Sequence, residues 1–497
     1  MKKFFSLLFS AIFLLFFTFS LTSCSKNELK KVSKNLTAYS ISAELDENMN
    51  ISGNEKINFY NSTGEGLSFI CFHLYPRAFR EGATIKPYTS LTEATCFPQG
   101  VSFGDISILK VMVDGVEKSF ELAGLDEDIL KVDFGFVLAP KKVVEIAIDF
   151  LIVVPNSTHR FGWFESNVNL GNWYPIVCKF SGGKFDTSPY FATGDPFFSD
   201  IANYEVEFVF PKNYQLCSTG EIKYENNAEK NKAKIIAKAV RDFAMCLSSN
   251  ASVVTDKVNK TTVMFCGYAD DENLTKYLQI AKEALEYFNA VFGDYPYSTL
   301  TVAKTPFIYG GMEYPNLVFI SDAIDDENEF LKVIVHEIAH QWWYAIVGND
   351  EVNEAWLDES LAEYSTALFF DKHLGYGISY DEFIKTAVSS YTLYVDVINT
   401  LKGEVNTKMN LAVNEYQNDY EYSYMVYVKG VIMFDSLKQM VGEKKLVAGL
   451  KKYFAENKFK IASKESFLKA FKSACHKDLE TFFEGYLNGN TIISAIN

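Results

Sequence analysis

The sequence predicts two folded domains of different class, an antiparallel β domain followed by a mainly α-helical one. Three observations predict it. From Tyr39 to about Thr255 the apolar residues recur with period two, and from about Asp270 the period lengthens to that of a helix. The chain has 497 residues, 48% apolar and 22% charged, enough for two or three domains of roughly 150 residues with large cores. That composition excludes disordered and disulfide-scaffold classes.

In the first region Val144, Ile146, Ile148 and Phe150 alternate with Glu145, Ala147 and Asp149, and Tyr204, Val206, Phe208 and Phe210 alternate in the same way before Pro211. Such runs, separated by Gly, Asn, Asp and Pro clusters, predict antiparallel strands over residues 37–255. In the second region, 256–497, Leu274, Leu278, Ala281, Leu285, Phe288 and Phe292 mark one face of a helix ending at Gly293. A short β-like stretch lies near Leu300 to Ile320, and helices are expected from there onward.

The first residues address the chain outside the cytoplasm. Lys2 and Lys3 precede an uncharged run from Phe4 to Ser23, long enough for a secretory signal or a membrane span. Leu21-Thr22-Ser23-Cys24 resembles a bacterial lipobox. The resemblance implies a signal peptide over residues 1–23, lipid modification of Cys24, and a tether over 24–36. The formal charge of −16 repels phosphate backbones, so nucleic acid is not an expected partner. Beyond Cys24, seven cysteines without CxxC spacing predict buried thiols rather than a disulfide framework or a cysteine zinc site.

Residues 336–340 read His-Glu-Ile-Ala-His. The apolar run Leu331 to Val347, opened by Asp325, Asp326 and Glu327 and closed by Gly348, is helical in pattern. Four-residue spacing on a helix puts His336 and His340 on one face, where two imidazoles reach one ion at about 2.0–2.1 Å. Glu337 lies beside that face, where a carboxylate touches an activated water without being a ligand. A catalytic zinc needs a third protein ligand and an open position. Glu354, Asp358, Glu359 and Glu363, on a segment that Asn353 could cap, are all available, and periodicity does not choose among them. The remaining histidines, His73, His159, His373 and His476, have no partner at metal spacing. Trp342, Trp343 and Trp356 read as core.

With HExxH, eighteen intervening residues and then Glu359 in Trp356-Leu357-Asp358-Glu359, the chain resembles the zinc aminopeptidases of the aminopeptidase N and leukotriene hydrolase family, within the gluzincin clan. Gly310-Gly311-Met312-Glu313-Tyr314 resembles that family's G-x-M-E-N motif, and Tyr427-Val428-Lys429-Gly430 its Tyr-x-Lys-Gly. Asn172-Trp173-Tyr174-Pro175, Gly194-Asp195-Pro196-Phe197 and Arg241-Asp242-Phe243-Ala244 look like the β domain of bacterial members, and Met440 to Gly489 like their closing helices. The resemblance implies a saddle-like β domain, a thermolysin-like catalytic domain, and one zinc per chain on His336, His340 and Glu359. It implies Glu337 as general base, Tyr427 as hydrogen-bond donor to the oxyanion, and Glu313 as the anion holding a substrate's free α-ammonium beside Gly310, Gly311 and Met312. Peptides with a free N-terminus are then the substrates, and a lipid anchor at Cys24 the link to a bacterial membrane.

Three positions depart from the family. Tyr314 stands for Asn, Ser360 for the Gly after the ligand Glu, and Tyr344 for the Gly after Trp342-Trp343. The β-domain acid or amide that completes the amine site is not placed by sequence. No stretch resembling the capping domains of longer relatives follows the catalytic region, which leaves an open-site endopeptidase as an alternative. A catalytically silent binding protein on the same scaffold is the alternative outside enzymes. Glu363, one turn beyond Glu359, is a candidate to orient a ligand histidine, and Tyr422 a weaker one for the Tyr427 wall.

Overall fold

The computed structural model describes residues 28–225 and 229–493. Residues 1–23 and Cys24 lie outside the described residues. The stretch expected as tether is folded from residue 28: Ser33 N–H donates to the Leu29 carbonyl at 2.8 Å, Leu29 packs on the core, and Glu28 pairs with Lys458.

An antiparallel β domain and a mainly helical domain follow one another in the chain, as the two periods predict. The first is built on an eight-stranded sheet. Its order is Glu221–Glu225, Asn231–Val240, Ala202–Phe210, Ala38–Leu45, Asn50–Tyr60, Val143–Val153, Asp105–Val113 and Val116–Lys118. All neighbours are antiparallel except Ala38–Leu45 with Ala202–Phe210. Period-two alternation buries Val144, Ile146, Ile148 and Phe150 on one strand and Tyr204, Val206, Phe208 and Phe210 on another. Two four-stranded sheets cover the inner face, one ordered Gln215–Ser218, Met245–Ser248, Asn167–Leu170 and Phe161–Phe164.

The second domain opens on a five-stranded sheet ordered Ala251–Val258, Thr261–Tyr268, Thr299–Thr305, Leu317–Ser321 and Gly311–Met312. The expected boundary at 255 falls inside its first strand, so the change of domain lies at about residue 250. A β-hairpin at the start of the second domain has the same period as the first domain, and periodicity does not separate them. The middle strands are parallel, and the edge strand Gly311–Met312 turns back antiparallel on Leu317–Ser321.

Helix α1 (Leu274–Val291) crosses over between the parallel strands and packs on α2 (Glu327–Ala339). The Tyr277 and Phe330 rings lie 4.6 Å apart between them. Asp326 caps α2, accepting from Glu329 N–H at 2.9 Å. The helix ends at Ala339, eight residues before the apolar run does. Ala345 N–H donates to the His340 carbonyl and Val347 N–H to Trp342, closing a buried turn in which Tyr344 holds φ +133°. The run stays apolar because that turn is core; Trp342 and Trp343 are at most 1% exposed.

The next segment also departs from its expected form. Asn353 bonds Asp350 rather than capping a helix. A 3₁₀ turn, Ala355–Leu357, precedes α3 (Glu359–Lys372), whose N-cap is Asp358. Helices α4 (Tyr380–Lys402), α5 (Lys429–Val441), α6 (Glu443–Asn457), α7 (Lys464–Cys475) and α8 (Glu480–Leu487) complete the domain. The seven described cysteines are all buried free thiols. Among the described residues, no helix is long and apolar enough to cross a membrane.

Candidate metal centre

Helices α2 and α3 bring His336, His340 and Glu359 together. The two Nε2 atoms are 3.1 Å apart, and they lie 3.2 and 3.1 Å from Glu359 Oε2. Hydrogen-bond partners on the far side of each ring fix the tautomers. His340 Nδ1 donates to the Trp343 carbonyl at 2.9 Å, and His336 Nδ1 to Glu363 Oε2 at 3.0 Å. Each Nε2 is therefore the nitrogen that can offer a lone pair to a cation at the centre. Burial alone would raise the pKa of Glu359, but the imidazoles of His340 and His336 outweigh it and hold the group well below the usual carboxylate range. Burial would lower the pKa of both histidines, but without a metal the Glu359 carboxylate raises it, so positive charge belongs at the centre of the triangle, and a bound cation would take the place of those protons. Tetrahedral bonds of about 2.05 Å place ligand atoms about 3.3 Å apart, close to the triangle found here. The donor set therefore fits a zinc ion, and all three residues border the cleft.

Glu363, considered at the sequence level as an orienting group, does orient His336. The Trp343 carbonyl, which orients His340, had no sequence signal, because the turn that presents it reads as helix. The six-residue stretch from Gln341 to Ile346 that makes this turn is almost wholly inaccessible.

The cleft beside the three ligands has a volume of about 440 Å³. Gly310, Gly311 and Glu313 form one wall, with Met312 buried behind them, and Tyr422 and Tyr427 form another. Glu337 projects from α2 against the edge strand, and burial raises its pKa to about 7 against the opposing pull of His336 and His340. Among the described residues its Oε2 has no partner, nor has Oε1 of Glu313, which is 3% exposed. Burial, then the nearby Asp195, pushes Glu313 well above the carboxylate range. A Cβ on Gly311 would lie 2.3 Å from Glu337 Oε1, so only glycine lets that carboxylate rest against the strand.

Tyr427 lies in a π-helical turn, Tyr424–Val428, a distortion often found at functional sites. Its ring stacks on His336 at 5.7 Å and meets Tyr422 edge-on at 5.8 Å. Ser360 Oγ donates to the Val426 carbonyl at 2.6 Å and so ties that turn to α3. Glycine at 430 makes room for the serine, since a Cβ there would meet Ser360 Oγ at 2.2 Å. The departure at 314 has a similar counterpart. Tyr314 is wholly buried and donates to Asn172 Oδ1 at 2.9 Å, and a Cβ on Gly171 would lie 2.0 Å from its hydroxyl. The side chain thus points into the β domain, away from the cleft.

The β domain also brings an acid to the centre that sequence did not place, Asp195. Oxygens of Asp195, Glu313 and Glu359 lie within 4.8 Å of one another. Arg160, 3% exposed, pairs with Asp195 at 2.5 Å and donates to the Tyr190 hydroxyl at 3.1 Å. No local pattern distinguishes Asp195 from the many acids on loops; only the folded β domain carries it to the edge strand. Trp342, Trp343 and Trp356 are core, and His73, His159, His373 and His476 lie away from the centre.

Residues 277–486 match the Peptidase family M1 domain. A stretch of 241 residues, 45% of this chain, is 28% identical to aminopeptidase N of Lactobacillus delbrueckii subsp. lactis, of which it covers 28%. A stretch of 194 residues, 38% of the chain, is 29% identical to leukotriene A-4 hydrolase of Xenopus laevis, covering 31% of it. The chain thus matches less than a third of the length of these curated relatives. The fold is similar over nearly the whole chain to an M1 zinc metallopeptidase from Deinococcus radiodurans, with TM-score 0.64 and 14% identity over 93% of this chain and 95% of that one. The three converging ligands, His336, His340 and Glu359, all fall within the stretch 277–486 that matches the Peptidase family M1 domain.

Proposed function

We propose that this chain is a zinc-dependent aminopeptidase that releases N-terminal residues from peptides outside the cytoplasm. The observation that carries the reading is the closed end of the cleft, where Glu313 and Asp195 converge beside the ligand Glu359 and Glu313 Oε1 is buried without a partner. Arg160 balances one of these charges. A free α-ammonium supplies the missing positive charge and the hydrogen bonds, whereas an internal peptide would leave the carboxylates uncompensated.

His336, His340 and Glu359 would hold a zinc ion, which would supply Lewis-acid polarisation of a scissile carbonyl and acidify a water. Glu337 would accept a proton from the attacking water at its carboxylate and deliver it to the leaving amine. The Tyr427 hydroxyl donates to the oxygen on which negative charge develops. Gly311 keeps Glu337 close to the edge strand along which the substrate backbone lies. The reading agrees with the aminopeptidase names of relatives and with a solved structure of the Deinococcus protein bound to a Tyr-ser-ala substrate.

Blocking the substrate amine tests the assignment. N-acetylation of a tripeptide is expected to lower kcat/KM at least about hundredfold, in line with the cost of a buried unpaired charge. Comparable turnover of free and acetylated peptides would assign the cleft to an endopeptidase.

Export and anchoring at Cys24 belong to the same proposal. Cells expressing the full chain are expected to incorporate labelled palmitate into it, and Cys24→Ala to abolish the label. Equal labelling of both forms excludes the anchor.

A further inference from the structure

We propose that the exposed face of α6, together with the lysine-rich segment that meets its end, rests on the anionic headgroups of a phospholipid membrane. The inference deepens the anchored reading, on which its geometry rests. Charge is unevenly spread in this chain. The formal charge is −16, yet residues 443–475, the hairpin of α6 and α7, hold nine lysines against three acids. The lysines of α6 are also gathered on one side. Its buried positions are Leu446, Gly449, Leu450, Tyr453, Phe454 and Asn457. With a turn of about 100° per residue, these fill one side and leave Lys444, Lys445, Lys451 and Lys452 within about 120° of the other. That face is about 22 Å long. Glu456 shares it and pairs with Lys452 at 3.2 Å, while Lys444, Lys445 and Lys451 form no ion pair among the described residues.

At its C-terminal end α6 meets the first described residues. Lys458 pairs with Glu28, Leu29 packs on the core, and Asn203 Nδ2 donates to the Ser33 carbonyl at 2.9 Å, so the chain is fixed at this place. Lys30, Lys31 and Lys34 are exposed beside the contact and extend the basic surface. Cys24 precedes Glu28 by four residues, so an acyl group on it is held within about 14 Å of the same spot. A bilayer entered by that group lies against these lysines, close enough for attraction to anionic lipid to act within a screening length of about 10 Å. The remainder of the chain is acidic and is repelled by the same surface. On the buried side of α6, Tyr453 stacks on Trp343 at 5.9 Å, and the Trp343 carbonyl supports His340 from behind. The lysine face therefore points away from the cleft, which stays open to peptides in solution.

The test adds vesicles to the full chain and follows, lysine by lysine, its modification by a water-soluble acylating reagent, read by mass spectrometry. Phosphatidylglycerol vesicles are compared with phosphatidylcholine vesicles. Lys30, Lys31, Lys34, Lys444 and Lys451 are expected to react at least about fivefold more slowly with the anionic vesicles, the factor for one lysine drawn to such a surface. Lys385 is the control. It is exposed on α4 two residues from Phe383, whose ring lies under the cleft residue Lys332, and it should react equally with both. Sodium chloride at about 1 M, which shortens the screening length to about 3 Å, should abolish the difference. The double variant Lys444→Glu/Lys451→Glu should reduce it at Lys30, Lys31 and Lys34 as well. Equal labelling with the two kinds of vesicle, or a slowing that includes Lys385 or survives salt, overturns the inference. The anchored reading fails separately, by absence of palmitate from the chain, and the labelling contrast decides the face in either case because the vesicles are supplied from outside.

Discussion

Glutamine at position 337 is expected to lower kcat/KM on a free tripeptide by about 10²–10⁴-fold, the usual contribution of a positioned general base. The change keeps the shape of the side chain and removes its ability to accept a proton. None of the three ligands moves in such a variant, so zinc content measured by elemental analysis should stay at one per chain and peptide affinity should hold. Near-parental turnover with full zinc occupancy would remove Glu337 from the mechanism. Alanine at 311 approaches the same loss from the other side of the contact. Its Cβ would sit 2.3–2.6 Å from the Glu337 carboxylate, displacing either that group or the edge strand. Alanine at 310 meets only the Val333 side chain, at 3.6 Å or more, an ordinary contact. The 310 variant is therefore expected to lose at least tenfold less activity than the 311 variant. Equal losses would mean that the strand, rather than the spacing to Glu337, sets the effect.

These contrasts show how the site divides between local and non-local information. His336, Glu337 and His340 were legible because a helix of fixed pitch converts a four-residue spacing into a shared face. Glu359 was not selectable from pattern alone among four acids, and the resemblance chose it. Its place as the first residue of α3, behind the Asp358 cap, explains why the acidic run misleads: the chain there is a 3₁₀ turn followed by a helix start rather than one amphipathic helix. Asp195 was illegible for a different reason. Its role depends on the seating of one domain against another, and Arg160, which stabilises it, comes from yet another part of the β domain. The β domain itself was readable as a class, since Val144 to Phe150 alternate in the fold as in the sequence. Its junction with the catalytic half was not, because strands of period two lie on both sides of residue 250.

The three departures at 314, 344 and 360 carry a common physical lesson. Each puts a larger side chain where the family pattern has a smaller residue, and each finds a partner: Tyr314 with Asn172 in the space left by Gly171, Ser360 with the Val426 carbonyl in the space left by Gly430, and Tyr344 with Asp242. At 344 the exchange is costly in backbone terms. A φ of +133° is strained for tyrosine, of order 1–3 kcal/mol, and persists only where the surroundings hold it. Burial in contact with Asp242 is that restraint. Burial raises Asp242 to about 6, while the Tyr344 hydroxyl and Arg241 pull it down. Because that value lies above the ordinary 3.8, uptake of a proton by Asp242 as the pH falls through about 6 favours the folded state, so this contact does not make the turn acid-labile.

Arg241 is the centre of this restraint, and methionine in its place should be the most destabilising change outside the core. The guanidinium is 2% exposed and donates to three carbonyls, Tyr344 at 2.9 Å, Ser199 at 2.8 Å and Lys460 at 3.3 Å. A Cβ on Gly348 would lie 2.1 Å from its Cζ, so the neighbouring backbone leaves no side chain in its place. Removing the charge strands the buried Asp242 and three carbonyls, a loss of about 3–5 kcal/mol. It should appear as a lower urea midpoint for the full chain. Tyr344→Phe removes one hydrogen bond to a charged group and should cost about 1.5–3 kcal/mol. The larger consequence is at the metal. Arg241 holds the Tyr344 carbonyl, the neighbouring Trp343 carbonyl orients His340, and His340 is a ligand. Loss of a group that orients a ligand typically lowers metal affinity about 10–100-fold. Arg241→Met is therefore expected to bind zinc more weakly in competition with a chelator, under conditions where the protein remains folded. A destabilised variant with unchanged zinc affinity would show that the Tyr344 turn keeps its shape without the β domain's help.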